Sequence, residues 1–127
     1  MRYLAPDRQS DNRVLIFQGK ILGAIQRVPG TTSWQCNTTA GGLYRNVDIS
    51  DRERSAVTYI DPILSDFGIS LYGIDFLLDE HGNRLISEIN TLNVGMIWQL
   101  EKISGIGLTQ YLAGELVKIW EQGLRNL

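Results

Sequence analysis

Residues 72–90 read YGIDFLLDEHGNRLISEIN, two strand-forming runs on either side of a turn-forming DEHGN. Pairing Asp79 with Arg84 closes a four-residue turn over Glu80–Asn83, in which Gly82 supplies any positive φ the turn needs. In that register Ile74 faces Ile89, Phe76 faces Ser87 and Leu78 faces Leu85, which makes one nearly continuous apolar face. The other face pairs Gly73 with Asn90, Asp75 with Glu88 and Leu77 with Ile86. The register with the better apolar face therefore sets two carboxylates against each other, with an amide beside them.

Carboxylates directly opposite on a ladder repel. Desolvated without a counter-charge, at least one of them holds its proton. A hard divalent cation removes the conflict, because Mg²⁺ takes oxygens from one or two carboxylates and fills its shell with water and phosphate oxygens. With no His or Cys near Asp75, Glu88 and Asn90, the donor set suits magnesium better than zinc. A solvated face of a half-exposed sheet accounts for the same acids equally well. A one-residue slip in register would also send Asp75 to the face opposite Glu88.

Upstream, residues 13–18 (RVLIFQ) and 21–28 (ILGAIQRV) are β-rich runs separated by Gly19 and Lys20, which reads as a tight hairpin. With a simple two-residue turn, Arg13 and Arg27 fall on opposite faces; a bulge is needed to bring both to one side. Residues 29–42 (PGTTSWQCNTTAGG) form a long loop of the kind that is usually functional or mobile. Ser50 opens a helix, since Glu53 stands three residues after a capping hydroxyl. Ala56, Ile60, Ile63 and Phe67 mark its apolar face, Pro62 should kink or split it, and Gly68 ends it. Residues 108–124 predict a C-terminal amphipathic helix with Leu108, Leu112, Leu116, Ile119 and Trp120 on one stripe. Two hairpins and helices make an α+β fold, an antiparallel sheet packed against helices, in a single domain over 1–127.

The chain has 127 residues and a net charge of −2, which gives no reason to expect nucleic acid or an anionic membrane as the main partner. Cys36 is the single cysteine, so no internal disulfide forms and a reducing, cytoplasmic location is expected. No apolar run resembles a signal peptide or a membrane span.

The pattern of a Gly-x-Asp strand followed by a Glu-x-Asn strand in YGIDFLLDEHGNRLISEIN resembles the end of the ATP-grasp fold. DNRVLIFQGKILGAIQRVPG is similar to the hairpin that precedes the phosphate loop in that family, CNTTAGG to its Asn-x-x-x-Gly-Gly stretch, and NTLNVG to the loop after the metal strand of glutathione synthetases. The resemblance covers most of the chain and extends to ribosomal-protein glutamate ligases. It implies the C-terminal subdomain of an ATP-grasp ligase that joins a small carboxylate to an amine through an acyl phosphate. ATP and two Mg²⁺ ions, with Mn²⁺ as the alternative ion, are the implied cofactors. Carried over by position, Asp75 holds one ion, Glu88 bridges both, and Asn90 holds the second. Arg13 and Arg27 are implied substrate or phosphate contacts, with Arg27 balancing charge in catalysis. Asn37, Gly41 and Gly42 fall in the loop over phosphate and acceptor, where glycine admits backbone N–H groups to an anion.

Two positions depart from the family pattern. Gln35 stands where relatives carry an arginine, and Gly73 where D-alanine–D-alanine ligases carry one. The half with the adenine pocket and phosphate-binding lysines is expected upstream, so this chain alone should not turn over ATP. Exposed apolar surface and homo-oligomerisation are expected with it. The competing reading is a non-catalytic ligand-binding or interaction module derived from the same fold. His81 reads as a surface turn residue, Cys36 as an ordinary thiol, and Trp98 and Trp120 as core or interface residues on helices.

Overall fold

The computed structural model describes residues 11–28, 43–92 and 94–127. They form β1 (Asp11–Phe17), β2 (Lys20–Val28), β3 (Leu43–Asn46), α1 (Asp51–Asp66), β4 (Leu71–Leu78), β5 (Arg84–Asn90), α2 (Ile97–Ser104) and α3 (Leu108–Arg125). The strands make one antiparallel sheet in the order β3-β2-β1-β4-β5. The α+β architecture agrees with the sequence reading, and β3 is an addition to it.

β1 is the centre of the sheet and buried along its whole length. Its alternate residues feed two cores. Val14 and Ile16 join Ala24, Tyr72, Ile74 and Phe76 under Val57 and Ile60 of α1. Leu15 joins Ile25, Val94, Leu100 and Leu108 on the other face, under α2 and α3. A strand covered on both sides reads as a continuous apolar run, and VLIF is one. Gly23 admits α2 closely: a Cβ there would sit 2.9 Å from Leu100 Cδ2.

The first hairpin turns one residue earlier than expected, at Gln18-Gly19, with φ of 48° and 73°. Both central residues of a type I′ turn need positive φ, which fits the twist of the flanking strands. Beyond the turn, Leu15 pairs with Gly23 but Ile16 with Ile21, so Leu22 is an extra residue on β2. That bulge sets Arg27 opposite Asp11 and Ile25 opposite Arg13. Arg13 and Arg27 thereby share a face, which a regular ladder forbids.

The second hairpin keeps Gly73–Asn90, Ile74–Ile89 and Asp75–Glu88 as expected. Past them Ser87 bulges out, and Phe76 pairs with Ile86, Leu77 with Leu85 and Leu78 with Arg84. The expected Phe76–Ser87, Leu77–Ile86, Leu78–Leu85 and Asp79–Arg84 pairs are therefore not formed. The turn runs over five residues, Asp79–Asn83, because Asp79 organises it: Oδ1 accepts from the backbone of His81 and Asn83, and Oδ2 from the Asn83 amide. His81 lies in that exposed turn, 3.6 Å from Glu80. The expected apolar face is only half covered, since Leu85 and Ile89 of edge strand β5 are exposed, as is Ile86, which was expected on the other face.

Ser50 and Glu53 form the expected capping box on α1. Gly68 closes the helix: its N–H bonds Ser65, and that of Ile69 bonds Leu64. Pro62 neither splits the helix nor ends it; α1 runs through it. Pro62 and Thr58 are both exposed, so water reaches the Thr58 carbonyl that proline leaves without its helical donor. The buried face is Glu53, Val57 and Ile60, while Ile63 and Phe67 are exposed. On α3 only Leu108 and Leu112 of the expected stripe are buried; Leu116, Ile119 and Trp120 are exposed. Trp98 is exposed as well, with the Lys102 ammonium 5.1 Å above its ring, so neither tryptophan is a core residue.

Candidate functional site

The sheet face that carries Leu15 and Ile25 ends in a polar cluster drawn from four adjacent strands. Arg13 and Asp75 are register partners on β1 and β4, both buried. Arg13 Nε donates to Asp75 Oδ1 at 2.6 Å and Nη2 to Oδ2 at 2.7 Å, a fork-to-fork pair. Arg27 Nη2 reaches the same Oδ2 at 3.0 Å. Arg27 also grips Asp11, with Nε at 2.8 Å from Oδ1 and a second bond from Nη2 to Oδ2.

Asn90 extends the run to the sheet edge. The carboxamide orientation that satisfies its neighbours has Nδ2 donating to Glu88 Oε1 at 3.0 Å and the oxygen accepting from Arg13 Nη2 at 2.9 Å. After β5 the chain reverses through Gly95 and Met96, at φ of 43° and 69°. The Val94 carbonyl then accepts from Arg13 Nη1 at 3.4 Å. A left-handed methionine is uncommon, and Met96 is held there by packing on the α2 side of the core.

The result is a continuous series, Asp11–Arg27–Asp75–Arg13–Asn90–Glu88. Asp75 and Glu88 face each other as the sequence predicts, yet the conflict between them is resolved by arginine: Asp75 lies between two guanidiniums, while Glu88 is exposed. Burial, with the neighbouring Asp75 charge, raises the Asp11 pKa against the hydrogen bond and charge of Arg27. Burial pulls Arg27 down, but its bonds to Asp11 and the charges of Asp11 and Asp75 outweigh that and raise it. Arg27 stays cationic throughout.

Arg13, Arg27, Asp75, Glu88 and Asn90 are thus brought together. Asn37, Gly41 and Gly42 lie outside the described residues, as do Trp34, Gln35 and Cys36. Asp11 was missed; it stands two residues before Arg13 and so shares its face, a signal the sequence does contain. The sequence marks Glu53 only as a cap. It is buried, accepts from Asn12 Nδ2 at 3.1 Å, and lies 3.9 Å from Arg84, tying α1 to β1 and β5 on the opposite face.

Among the described residues no group of three or more His, Cys, Asp or Glu side chains could hold a metal by itself. A magnesium ion needs no such group, because water and phosphate complete its shell. Glu88 Oε1 lies 3.0 Å from Asn90 Nδ2 in the hydrogen-bonded orientation, and a half-turn of the carboxamide would bring its oxygen to that place. Adjacent oxygens around octahedral Mg²⁺ are also about 3 Å apart, given its short metal–oxygen distance. The donor set fits that ion.

The family model for the prokaryotic glutathione synthetase ATP-grasp domain matches residues 1–105. The chain belongs to that family. Its relatives include the glutathione synthetase of Synechococcus elongatus, 26% identical over 96% of this chain and 36% of the relative. That of Brucella melitensis is 32% identical over 84% of this chain and 33% of the relative. The chain spans about a third of the length of these curated relatives. Among solved structures, the ATP-grasp ligase PsnB, complexed with a phosphomimetic variant of its minimal precursor, Mg and ADP, superimposes with a TM-score of 0.62 at 19% identity. That match covers 86% of this chain and 32% of PsnB. The macrocyclase MdnB from Microcystis aeruginosa gives a TM-score of 0.61 at 18% identity, over 87% of this chain and 31% of MdnB. The likeness to PsnB shows the ATP-grasp fold. Among the described residues no helix is long and apolar enough to cross a membrane.

Proposed function

We propose that this chain forms the cation- and phosphate-binding part of an ATP-dependent carboxylate–amine ligase of the glutathione synthetase type. The observation that carries the reading is the unbroken series from Asp11 to Glu88 on one sheet face. Two guanidiniums among three carboxylates and an amide suit a polyanionic ligand with its counter-ions. Family membership supports it, and PsnB, of the same fold, is described with Mg and ADP.

In the proposed reaction a substrate carboxylate takes the γ-phosphoryl group of ATP, giving an acyl phosphate and ADP. An amine then forms the new C–N bond, phosphate leaves, and the amine gives up a proton. Asp75, Glu88 and Asn90 would hold two Mg²⁺ ions, with Glu88 shared and Mn²⁺ able to substitute. When bound, the ions neutralise charge on the transferring phosphoryl group. Arg13 and Arg27 orient anionic ligand oxygens on a rigid sheet, which replaces much of the entropy cost of bringing reactants together. Arg27, still cationic and only partly buried, balances charge as the phosphoryl group moves. Asn37, Gly41 and Gly42 would cover phosphate with backbone donors. γ-Glutamylcysteine with glycine is the first substrate pair proposed, and glutamate addition to a protein or small molecule the second. Adenine contacts are assigned to chain outside these residues, a division that the one-third coverage of the relatives supports. The single cysteine fits a cytoplasmic location.

A second reading, a binding module without turnover, is favoured by one observation: Asp75 is fully paired by arginine and needs no cation. Magnesium titration with ADP, followed by backbone amide NMR, separates the two. Shifts confined to Asp75, Glu88 and Asn90 that strengthen with ADP support the ligase site. Saturating magnesium with no localised shift contradicts it.

A further inference from the structure

Arg13 belongs to β1, yet it touches Asn90 two strands away on β5. Gly73 of β4, which pairs with Leu15 on one side and Asn90 on the other, makes this reach feasible. A Cβ built on Gly73 would lie 3.5 Å from Arg13 Cδ and 3.6 Å from Cγ. The arginine stem therefore lies across a bare stretch of strand, and any side chain longer than alanine at Gly73 would block its path.

The Asn90 carboxamide at the end of that path has two orientations related by a half-turn. In one, Nδ2 faces Glu88 Oε1 and the oxygen faces Arg13 Nη2, so a donor meets an acceptor at both contacts. In the other, oxygen meets oxygen at Glu88 and N–H meets N–H at Arg13. That orientation is unfavourable by itself, because each contact replaces a hydrogen bond with a repulsion. A cation held by Glu88 reverses the preference at the first contact, since it takes both oxygens as ligands. The second contact then sets the Asn90 NH2 against Arg13 Nη2, and that repulsion turns one guanidinium N–H away from Asn90 toward a ligand.

We infer that the Asn90 carboxamide turns when a divalent cation binds at Glu88, releasing a guanidinium N–H of Arg13 for an anionic oxygen of the phosphate or carboxylate class. The inference rests on the proposed cation site and adds an order of events to it. By linkage, an anion on Arg13 favours the turned amide and so strengthens cation binding by the same factor.

The test follows three side-chain signals of the isotopically labelled chain during titration with MgCl₂ alone: the Glu88 carboxyl carbon, the Asn90 side-chain amide and the Arg13 guanidinium protons. The expected result is that all three move with one midpoint. In addition, Asn90→Ala, which deletes the acceptor, should shift the Arg13 signal without magnesium in the direction that magnesium shifts it in the wild type. A Glu88 carboxyl that titrates while the Asn90 amide and Arg13 stay still overturns the inference and leaves the cation site standing. An Arg13 signal that is unmoved in Asn90→Ala, or moved the other way, also overturns it. If neither Glu88 nor Asp75 responds to magnesium, the cation site itself fails and the inference falls with it.

Discussion

Arg13 and Asp75 face each other across the β1–β4 ladder, and both oxygens of the buried carboxylate accept from the one guanidinium, at 2.6 and 2.7 Å. The pair decides what each residue is able to do. Asp75 is held rigid on a covered strand, and Arg13 is aimed along the sheet at Asn90 and Val94. Removing either member strands the other in a poorly solvated place.

Arg13→Met should therefore cost roughly 3 kcal/mol of folding stability, because Asp75 keeps only its contact with Arg27. Asp75→Leu should cost a similar amount. The double variant should recover much of the loss, since an apolar pair of like volume fills the site without a buried charge. Urea unfolding on all four proteins gives the coupling energy. Losses that simply add would mean that the two side chains are independent.

Glu53 should behave as more than a helix cap. It accepts from the Ser50 backbone and hydroxyl at 2.8 and 2.9 Å, and from Asn12 in the interior. Glu53→Ala should cost about 2–3 kcal/mol, the sum of a lost cap and an unpaired buried amide. Glu53→Gln should cost less, as it keeps an acceptor for one of those donors. The urea midpoint measures both.

Asp11 gives stability a definite pH slope. Its pKa is raised in the folded chain, chiefly by burial, so between the ordinary aspartate value and the raised one the folded chain holds a proton that the unfolded chain has released. Its favourable contribution is complete below that window and is lost as pH rises through it. Wild type should therefore gain stability relative to Asp11→Asn as pH falls through the window. A difference that grows in the other direction would mean that pairing with Arg27, rather than burial, governs Asp11.

Gly23→Ala should destabilise by about 1–3 kcal/mol, because its Cβ would press on the buried Leu100 side chain at 2.9 Å. Leu100→Val in the same chain should relieve part of that loss. Thermal unfolding of the two single variants and the double variant checks it, and strictly additive losses would contradict the contact.

Much of the fold was legible because its signals are local. Ser50 with Glu53 fixes where α1 begins, Gly68 where it ends, and the alternation in residues 71–78 and 84–90 marks a hairpin. The Asp75–Glu88 and Gly73–Asn90 pairs follow the expected register because the extra turn residue, Asp79, and the bulged Ser87 lie on opposite arms of the hairpin and cancel in the count. What escaped was set by tertiary contacts. Leu22 and Ser87 each add one residue to a strand, and nothing in their own chemistry announces it. The first of those bulges moves Arg27 onto the face of Arg13 and gives Asp11 its partner. Periodicity placed Ile63 and Phe67 of α1 inward, but the helix turns Glu53 to the sheet instead, because Asn12 and Arg84 are there to receive a carboxylate.

The most direct measurement is ADP release coupled to amide formation by the proposed ligase, from the proposed substrates γ-glutamylcysteine and glycine with ATP and magnesium, as wild type and as Glu88→Ala. Glu88 is exposed on an edge strand, so the variant should fold. The predicted result is ADP and amide formed in equal amounts by the wild type, with most of both lost in the variant. Turnover in Glu88→Ala close to that of wild type would contradict the assignment of this sheet face as the cation and phosphate site.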